Sequence, residues 1–320
     1  MSSFCTYCRA QDYTHEYRTF DIFNNNYELV KCNNCKAYFL SPNPNAEQLL
    51  KAYDDSYYGG SEDDEKFEGF VEKGLNYFRY KRAKQIAELT QNKGRVLDVG
   101  CGNGRFLELL SKIGKIEIFG TEMSGSSARR AARIKNINLK IGELEATTFS
   151  KEYFDVITLF HVFEHIQEPV KYLEIIDNIL KKDAYLVMSF PNIDSWQAKL
   201  FKGRWLHLDP PRHLFFYKPK DLIVLMQKRG YVLIKETYFS VEQNPFGAIQ
   251  SILNLFHKKR ELLFESLKGN ESYTKETSKL TLKLEKMLFV VLTPLFVSSD
   301  FIASFFKKSA TVELVFKKKP

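Results

Sequence analysis

Three groups of residues have types and spacings suited to chemistry. The first is a set of thiols: Cys5-Thr-Tyr-Cys8 and Cys32-Asn-Asn-Cys35 form two C-x-x-C knuckles. Four thiolates at this spacing suit tetrahedral zinc, and a closed four-cysteine set leaves no coordination position for catalysis. A redox role for either pair is the rival. His15, between the knuckles, reads as a surface residue rather than a further ligand. The second group is Asp98-Val-Gly100-Cys101-Gly102-Asn103-Gly104, with Glu122 further on. Such a glycine turn lets a backbone without Cβ atoms approach a ligand and aims helix N-terminal amides at polar or anionic groups. Asp98 is placed to accept from an ammonium or to bind through water. Glu122 follows a second apolar stretch, where an acid can accept both hydroxyls of a ribose. Dinucleotides, flavins and S-adenosylmethionine (SAM) all use turns of this kind.

The third group is imidazole. In His161-Val-Phe-Glu164-His165 a helical backbone would put His161, Glu164 and His165 on one face. Two imidazoles and a carboxylate there suit a soft metal. His165 could instead take a proton from a substrate hydroxyl, or Glu164 and His165 could cap and pack a helix. The letters match the H-x-x-E-H of inverted zinc peptidases, but those residues need a long helix, whereas these follow a buried strand. Further on, Trp205-Leu-His207-Leu-Asp209-Pro-Pro-Arg212-His213-Leu-Phe215 embeds polar groups among aromatics. Arg212 suits a phosphate or carboxylate clamp, Trp205 or Phe215 a stacking platform, and His213 an alternative base. The plain alternative is an aromatic packing loop.

These residues need elements to hold them. Val96, Leu97 and Val99 read as a buried parallel strand, followed by the glycine turn and a helix from Phe106 to Leu110. Strands are predicted at Ile116–Gly120, Leu139–Ile141, Phe154–Phe160, Ala184–Phe190 and Tyr231–Phe239, and helices at Phe70–Thr90, Ser126–Ile134, Pro169–Leu180 and Lys220–Lys228. Alternation of this kind implies a doubly wound, mostly parallel α/β sheet with ligands at the carboxyl ends of its strands. Before it, Ala46–Tyr53 reads as a short helix and Tyr57–Glu65 as an acidic, turn-rich loop whose Tyr57 and Tyr58 could cover a ligand.

Val-Leu-Asp-Val-Gly-Cys-Gly-Asn-Gly resembles motif I of the class I SAM-dependent methyltransferases, and Phe-Gly-Thr-Glu-Met-Ser resembles their second motif. The resemblance covers roughly Phe78 to Phe239. It implies a Rossmann-like seven-stranded sheet, an antiparallel last strand at Thr311–Phe316, and SAM held by Asp98, Gly100 to Gly104, Glu122 and Met123. By the same resemblance Glu143 and Leu144 meet the adenine, and Phe160 and His161 border the cofactor. The stretch at 161–165 is similar to the Glu-x-x-Glu-His of ubiquinone-biosynthesis O-methyltransferases, with His161 in place of the first Glu. A cysteine-ribbon amino end on such a domain resembles the NDP-sugar C-methyltransferases, and the Asp-Pro-Pro-Arg-His loop resembles bacterial methyltransferases associated with surface polysaccharides. A sugar or glycan-type acceptor is therefore expected. A quinone-type acceptor, RNA, or a non-catalytic SAM-binding adaptor are the alternatives.

The expected organisation is a zinc ribbon at 1–42, a linker or lid at 43–75, the SAM domain at 76–240, a helical insertion at 241–308 and the last sheet strand at 309–320. Length fits one ordinary core with appendages, since the chain has 320 residues, 44% of them hydrophobic. The net charge of +8 is spread along the chain. Only Arg9, Arg18 and Lys31 lie between Cys5 and Cys35, which argues against a nucleic-acid grip on the ribbon. The start lacks a basic, apolar signal, and paired cysteines suit a reducing compartment, so a cytoplasmic protein is expected. In the insertion, Pro245 to Phe306 reads as a helical cap with peripheral contact to the inner membrane face. Met287 to Phe306 is apolar, but Pro294, Ser298, Ser299 and Asp300 are expected to break it below spanning length.

Overall fold

The strand that carries Asp98 lies in the interior of a seven-stranded sheet, beside its central strand. In the computed structural model, which describes residues 3–53 and 70–320, β4 (Lys93–Val99) lies parallel to both β5 (Lys115–Glu122) and β7 (Phe154–Phe160). Val96, Leu97, Ile157 and Leu159 are fully buried, as strands covered on both faces require. β6 (Asn138–Ile141) adds parallel to β5, and β8 (Leu180–Pro191) parallel to β7. With β10 (Tyr231–Thr237) and β11 (Thr311–Lys318) the order is β10-β11-β8-β7-β4-β5-β6. The expected last strand is present, and it enters between its two neighbours rather than at an edge. Helices of this sheet unit include α2 (Phe70–Leu89), α3 (Arg105–Leu110), α4 (Ser126–Ala131) and α5 (Pro169–Ile179). Ala83 and Ile86 of α2 and Phe106, Leu107 and Leu110 of α3 close over Val96, Ile118 and Val156 in one apolar cluster.

The chain divides into two compact units, and neither is one continuous stretch. The sheet unit comprises Gly60–Phe190, Ile223–Glu236 and Glu313–Pro320; the ribbon unit comprises Met1–Gly59, Pro191–Leu222 and Thr237–Val312. The tyrosines at 57 and 58 lie outside the described residues.

In the ribbon unit β1 (Tyr13–Phe20), β2 (Asn26–Cys32) and β3 (Tyr38–Ser41) form an antiparallel meander. A fourth strand, β9 (Phe215–Phe216), pairs Tyr38 with Phe216 and Phe39 with Phe215. The aromatic stretch around 205–217 is therefore sheet and core. Trp205, Leu208 and Phe216 pack with Tyr27, Leu29 and Leu40. The same unit contains α1 (Ala46–Ala52), α6 (Trp196–Phe201), α8 (Asn244–Phe256), α9 (Leu262–Leu267), α10 (Glu271–Thr274) and α11 (Lys279–Phe305), while α7 (Pro219–Lys228) runs from this unit into the other. Arg260, fully buried, ties insertion to ribbon: its guanidinium donates to Thr19 Oγ1 and to the carbonyls of Phe20, Gly203 and Trp205 at 2.8–3.0 Å.

The break expected at Pro294 to Asp300 does not occur, because α11 is continuous through it. Proline removes one N–H donor, while Thr293 and Ser298 turn their hydroxyls back onto the carbonyls of Phe289 and Pro294. Asp300 points into the unit, accepting from the Ser240 N–H and from Asn244 Nδ2 instead of ending the helix.

Candidate cofactor site and metal centre

Gly100, Gly102 and Gly104 have φ of 65°, 57° and 72°, a left-handed run that the strand-to-helix turn needs. A Cβ on Gly100 would come 2.6 Å from Val162, and one on Gly104 2.5 Å from Ile134, whereas one on Gly102 meets nothing within 4 Å. The outer glycines thus let the turn pack, and the middle one faces open space. Glu122, at the end of β5, holds that middle glycine: Oε2 accepts from the Gly102 N–H at 2.6 Å and Oε1 from the Met123 N–H at 3.1 Å. Burial raises its pKa against those two donors. Asp98 is buried one strand away, accepting from Thr158 Oγ1 at 2.6 Å. Burial pushes its carboxyl up to about 7, against the pull of Thr158 and of the Arg82 guanidinium. Two buried carboxylates with pKa values raised by burial thus meet at one turn, and perturbed acids of this kind mark a functional-site candidate.

The other expected cofactor residues lie on the same edge of the sheet. Asn103, Met123 and Glu143 are exposed, and Cys101 and Leu144 are buried. Phe160 meets Phe106 edge-on at 5.2 Å, with the Arg82 guanidinium 4.6 Å from its ring centre. Sequence reasoning missed Arg82, Thr158 and Val162. Thr158 left a signal, as the one hydroxyl in the apolar run Phe154 to Phe160.

The expected helical face at 161–165 is corrected. His161 sits at φ 55° and donates its N–H to the Ser189 carbonyl, and Phe163 to His165 form a single 3-10 turn. His161 Nδ1 still comes 3.4 Å from the buried Glu164 Oε1, so the turn joins two of the three residues by another route. His165, half-buried, follows β7 in the sheet unit.

His213 belongs to the ribbon unit. It is buried, and its Nδ1 donates to the His207 carbonyl at 2.8 Å, which fixes the proton on that nitrogen. Arg212 closes on Asp209, with Nη2 and Nε 2.6 and 3.2 Å from Oδ1. Trp205 is corrected to a core residue: it has no exposed surface on which a ligand ring could stack, and Phe215, held in β9, has almost none.

The four cysteines converge, with their sulfur atoms all within 4.8 Å of one another. Cys5 to Cys35 and Cys8 to Cys32 are each 3.5 Å. A regular tetrahedron of zinc–sulfur bonds needs sulfur separations of about 3.8 Å, close to these. Both knuckles share one turn: the Arg9 N–H donates to the Cys5 carbonyl and the Lys36 N–H to the Cys32 carbonyl, with φ of 62° and 66°. The Cys5 thiol, donating to Cys35, helps hold the Cys35 thiol down to about 5, a ligand-ready state. His15 pairs with Glu28 on an exposed face and is not part of the set.

A glycine turn read by an acid at the end of the next strand, on a sheet with this strand order, defines a SAM-binding fold. A model of the methyltransferase domain matches residues 71–236, over half of the chain, and the chain belongs to that family, the class I SAM-dependent methyltransferases. It is 33% identical over 126 residues to a ubiquinone biosynthesis O-methyltransferase of Coxiella burnetii, covering 38% of this chain and 53% of that protein. It is 31% identical over 108 residues to the protein of the same name in Glaesserella parasuis, covering 31% and 45%. The chain thus spans about half the length of these relatives. Among solved structures, a putative sarcosine dimethylglycine methyltransferase from Galdieria sulphuraria aligns at a TM-score of 0.49 with 13% identity, over 85% of this chain and 97% of that one.

Proposed function

We propose that this protein transfers the methyl group of SAM to a small acceptor of the sugar or glycan type used in cell-envelope polysaccharide synthesis. The observation that carries the cofactor half of this reading is the Glu122 carboxylate bonded to the Gly102 N–H in a turn open at that residue. SAM supplies a methyl electrophile on a good leaving group, so the protein must position it and remove one substrate proton. Asp98 offers a buried carboxylate to an ammonium, and Glu122 offers acceptors to ribose hydroxyls. His165, after β7, is the proton acceptor we favour, with His213 the alternative. Both acids are in place, which an adaptor that merely kept the fold would not need.

The ribbon's resemblance to those of sugar C-methyltransferases supports the acceptor class. The names of the relatives favour a second reading, a quinol-type hydroxyl acceptor, although His161 stands where those enzymes carry a glutamate. RNA is disfavoured: Arg18 is engaged by Glu28 and Lys31 lies over the Tyr38 ring. In this reading the four cysteines hold one structural zinc, and the protein works in the reducing cytoplasm.

Titration calorimetry with SAM, followed by a labelled-methyl screen against nucleotide sugars, lipid-linked glycans, quinols and RNA, tests the proposal. Label entering a sugar supports it, label entering a quinol or RNA replaces the acceptor, and no SAM binding removes the reading altogether.

A further inference from the structure

α11 is fastened to its unit along one side only. Near its start Glu285 is buried and pairs with His257 at 2.7 Å, and near its end Asp300 is buried on Asn244 and Ser240. Between them Phe289, Leu292 and Phe296 pack on Ile249 and Leu253 of α8. At 100° per residue the opposite side carries Leu284, Met287, Val291, Leu295, Ile302 and Phe305, which are 45–71% exposed. A helix lying against water carries polar residues there. The apolar surface continues beyond α11, because exposed Trp196 packs on Phe306.

The charge beside this stripe has one sign. Lys279, Lys283 and Lys286 are exposed near the start of α11 and Lys307 just after its end, whereas both acids between Lys279 and Lys307 are turned inward. We propose that this face of α11 lies flat on an anionic lipid surface, with its apolar stripe in the acyl boundary and its lysines among the headgroups. α11 is, among the described residues, the one helix long and apolar enough to cross a membrane. Crossing is nonetheless the poorer fit, since it would strip Glu285 and Asp300 from their partners or carry both into lipid. A second copy paired antiparallel on the same stripe would set the lysines at one end against Lys307 at the other, like charge on like.

Flotation of the full-length protein with vesicles tests this. On phosphatidylcholine containing phosphatidylglycerol, the protein should float at least roughly tenfold more than on phosphatidylcholine alone at low salt. Val291→Glu with Leu295→Glu should abolish flotation, and Lys283→Gln with Lys286→Gln should weaken the anionic binding by roughly fivefold per lysine. SAM affinity and thermal midpoint, measured on the same preparations, should stay at parental values, which separates this proposal from the cofactor site. The lysine variant keeps the test sound if the glutamate pair misfolds. Protein that stays with the soluble fraction on both vesicle types overturns the proposal. So does a stable dimer in sedimentation that loses its association with the glutamate pair, or resistance of the bound protein to alkaline carbonate.

Discussion

Asp98 is a residue at the cofactor turn whose ionisation this fold controls through burial. Its carboxyl, raised by burial to about 7, keeps its proton in the folded state while an unfolded chain gives it up near 4. Between those values the unfolded state binds fewer protons, so this group makes stability fall as pH rises and contributes no further change above about 7. The parent's thermal midpoint should therefore drop more steeply between about pH 4 and 7 than that of Asp98→Asn. A ligand ammonium favours the ionised form, so SAM affinity should climb with pH and level off above about 7 in the parent, with that slope absent in the Asn variant. Equal pH profiles for the two proteins would count against both statements. The glycines give a second residue-scale contrast. Both alanine substitutions strain a left-handed φ, but only Gly104→Ala also collides with Ile134, so it should cost the more stability; Gly102→Ala meets open space, and its further cost should fall on SAM affinity. Glu122→Ala should weaken SAM binding by roughly 1.5–3 kcal/mol, the worth of a hydrogen bond to a charged group. Calorimetry and thermal melts read these together.

Elements that carry their own signal were legible. The strand at Phe154–Phe160 has the bounds its apolar run predicts, and α2 ends one residue short of expectation. The glycine turn and the two knuckles were equally readable, since only a few residue types serve those backbone positions. What was hidden depends on partners far away in the chain. Thr158 meets Asp98 only because β7 pairs with β4 in a register that sets them side by side. β9 is two residues long and exists only because β3 offers it an edge. The backbone at His161 turns left-handed, so a spacing argument for a helix fails there. At this scale the metal and β9 share a fate. One zinc per chain is expected, and chelation or Cys8→Ser should lower the thermal midpoint and open the 205–217 segment to protease, because β9 hangs on the ribbon's last strand. Metal content well below one equivalent after chelator-free purification would end that assignment.

At the scale of the whole molecule, connectivity matters more than any single contact. The chain passes between the two units five times, so neither can be excised as a contiguous piece. β11 sits inside the sheet with Leu314, Val315 and Phe316 buried, flanked by β8 and β10. A chain stopped at Ser309 should leave β8 and β10 without the strand between them and should lose cooperative unfolding by circular dichroism, even though motif I is intact. A truncated chain that melts like the parent and binds SAM would show the strand to be dispensable.

The position of β11 also sets a clock on biogenesis. Translation delivers the glycine turn, both acids and six of the seven strands first, then spends several seconds on the roughly seventy residues that separate β10 from β11. Throughout that interval the nascent sheet has a slot waiting, with hydrophobic edges that a chaperone would have to shield, and the cofactor site rests on an unfinished floor. Synonymous codons that slow the ribosome within the insertion would lengthen that exposure, so the yield of folded protein would depend on the tempo of a segment far along the chain from the glycine turn.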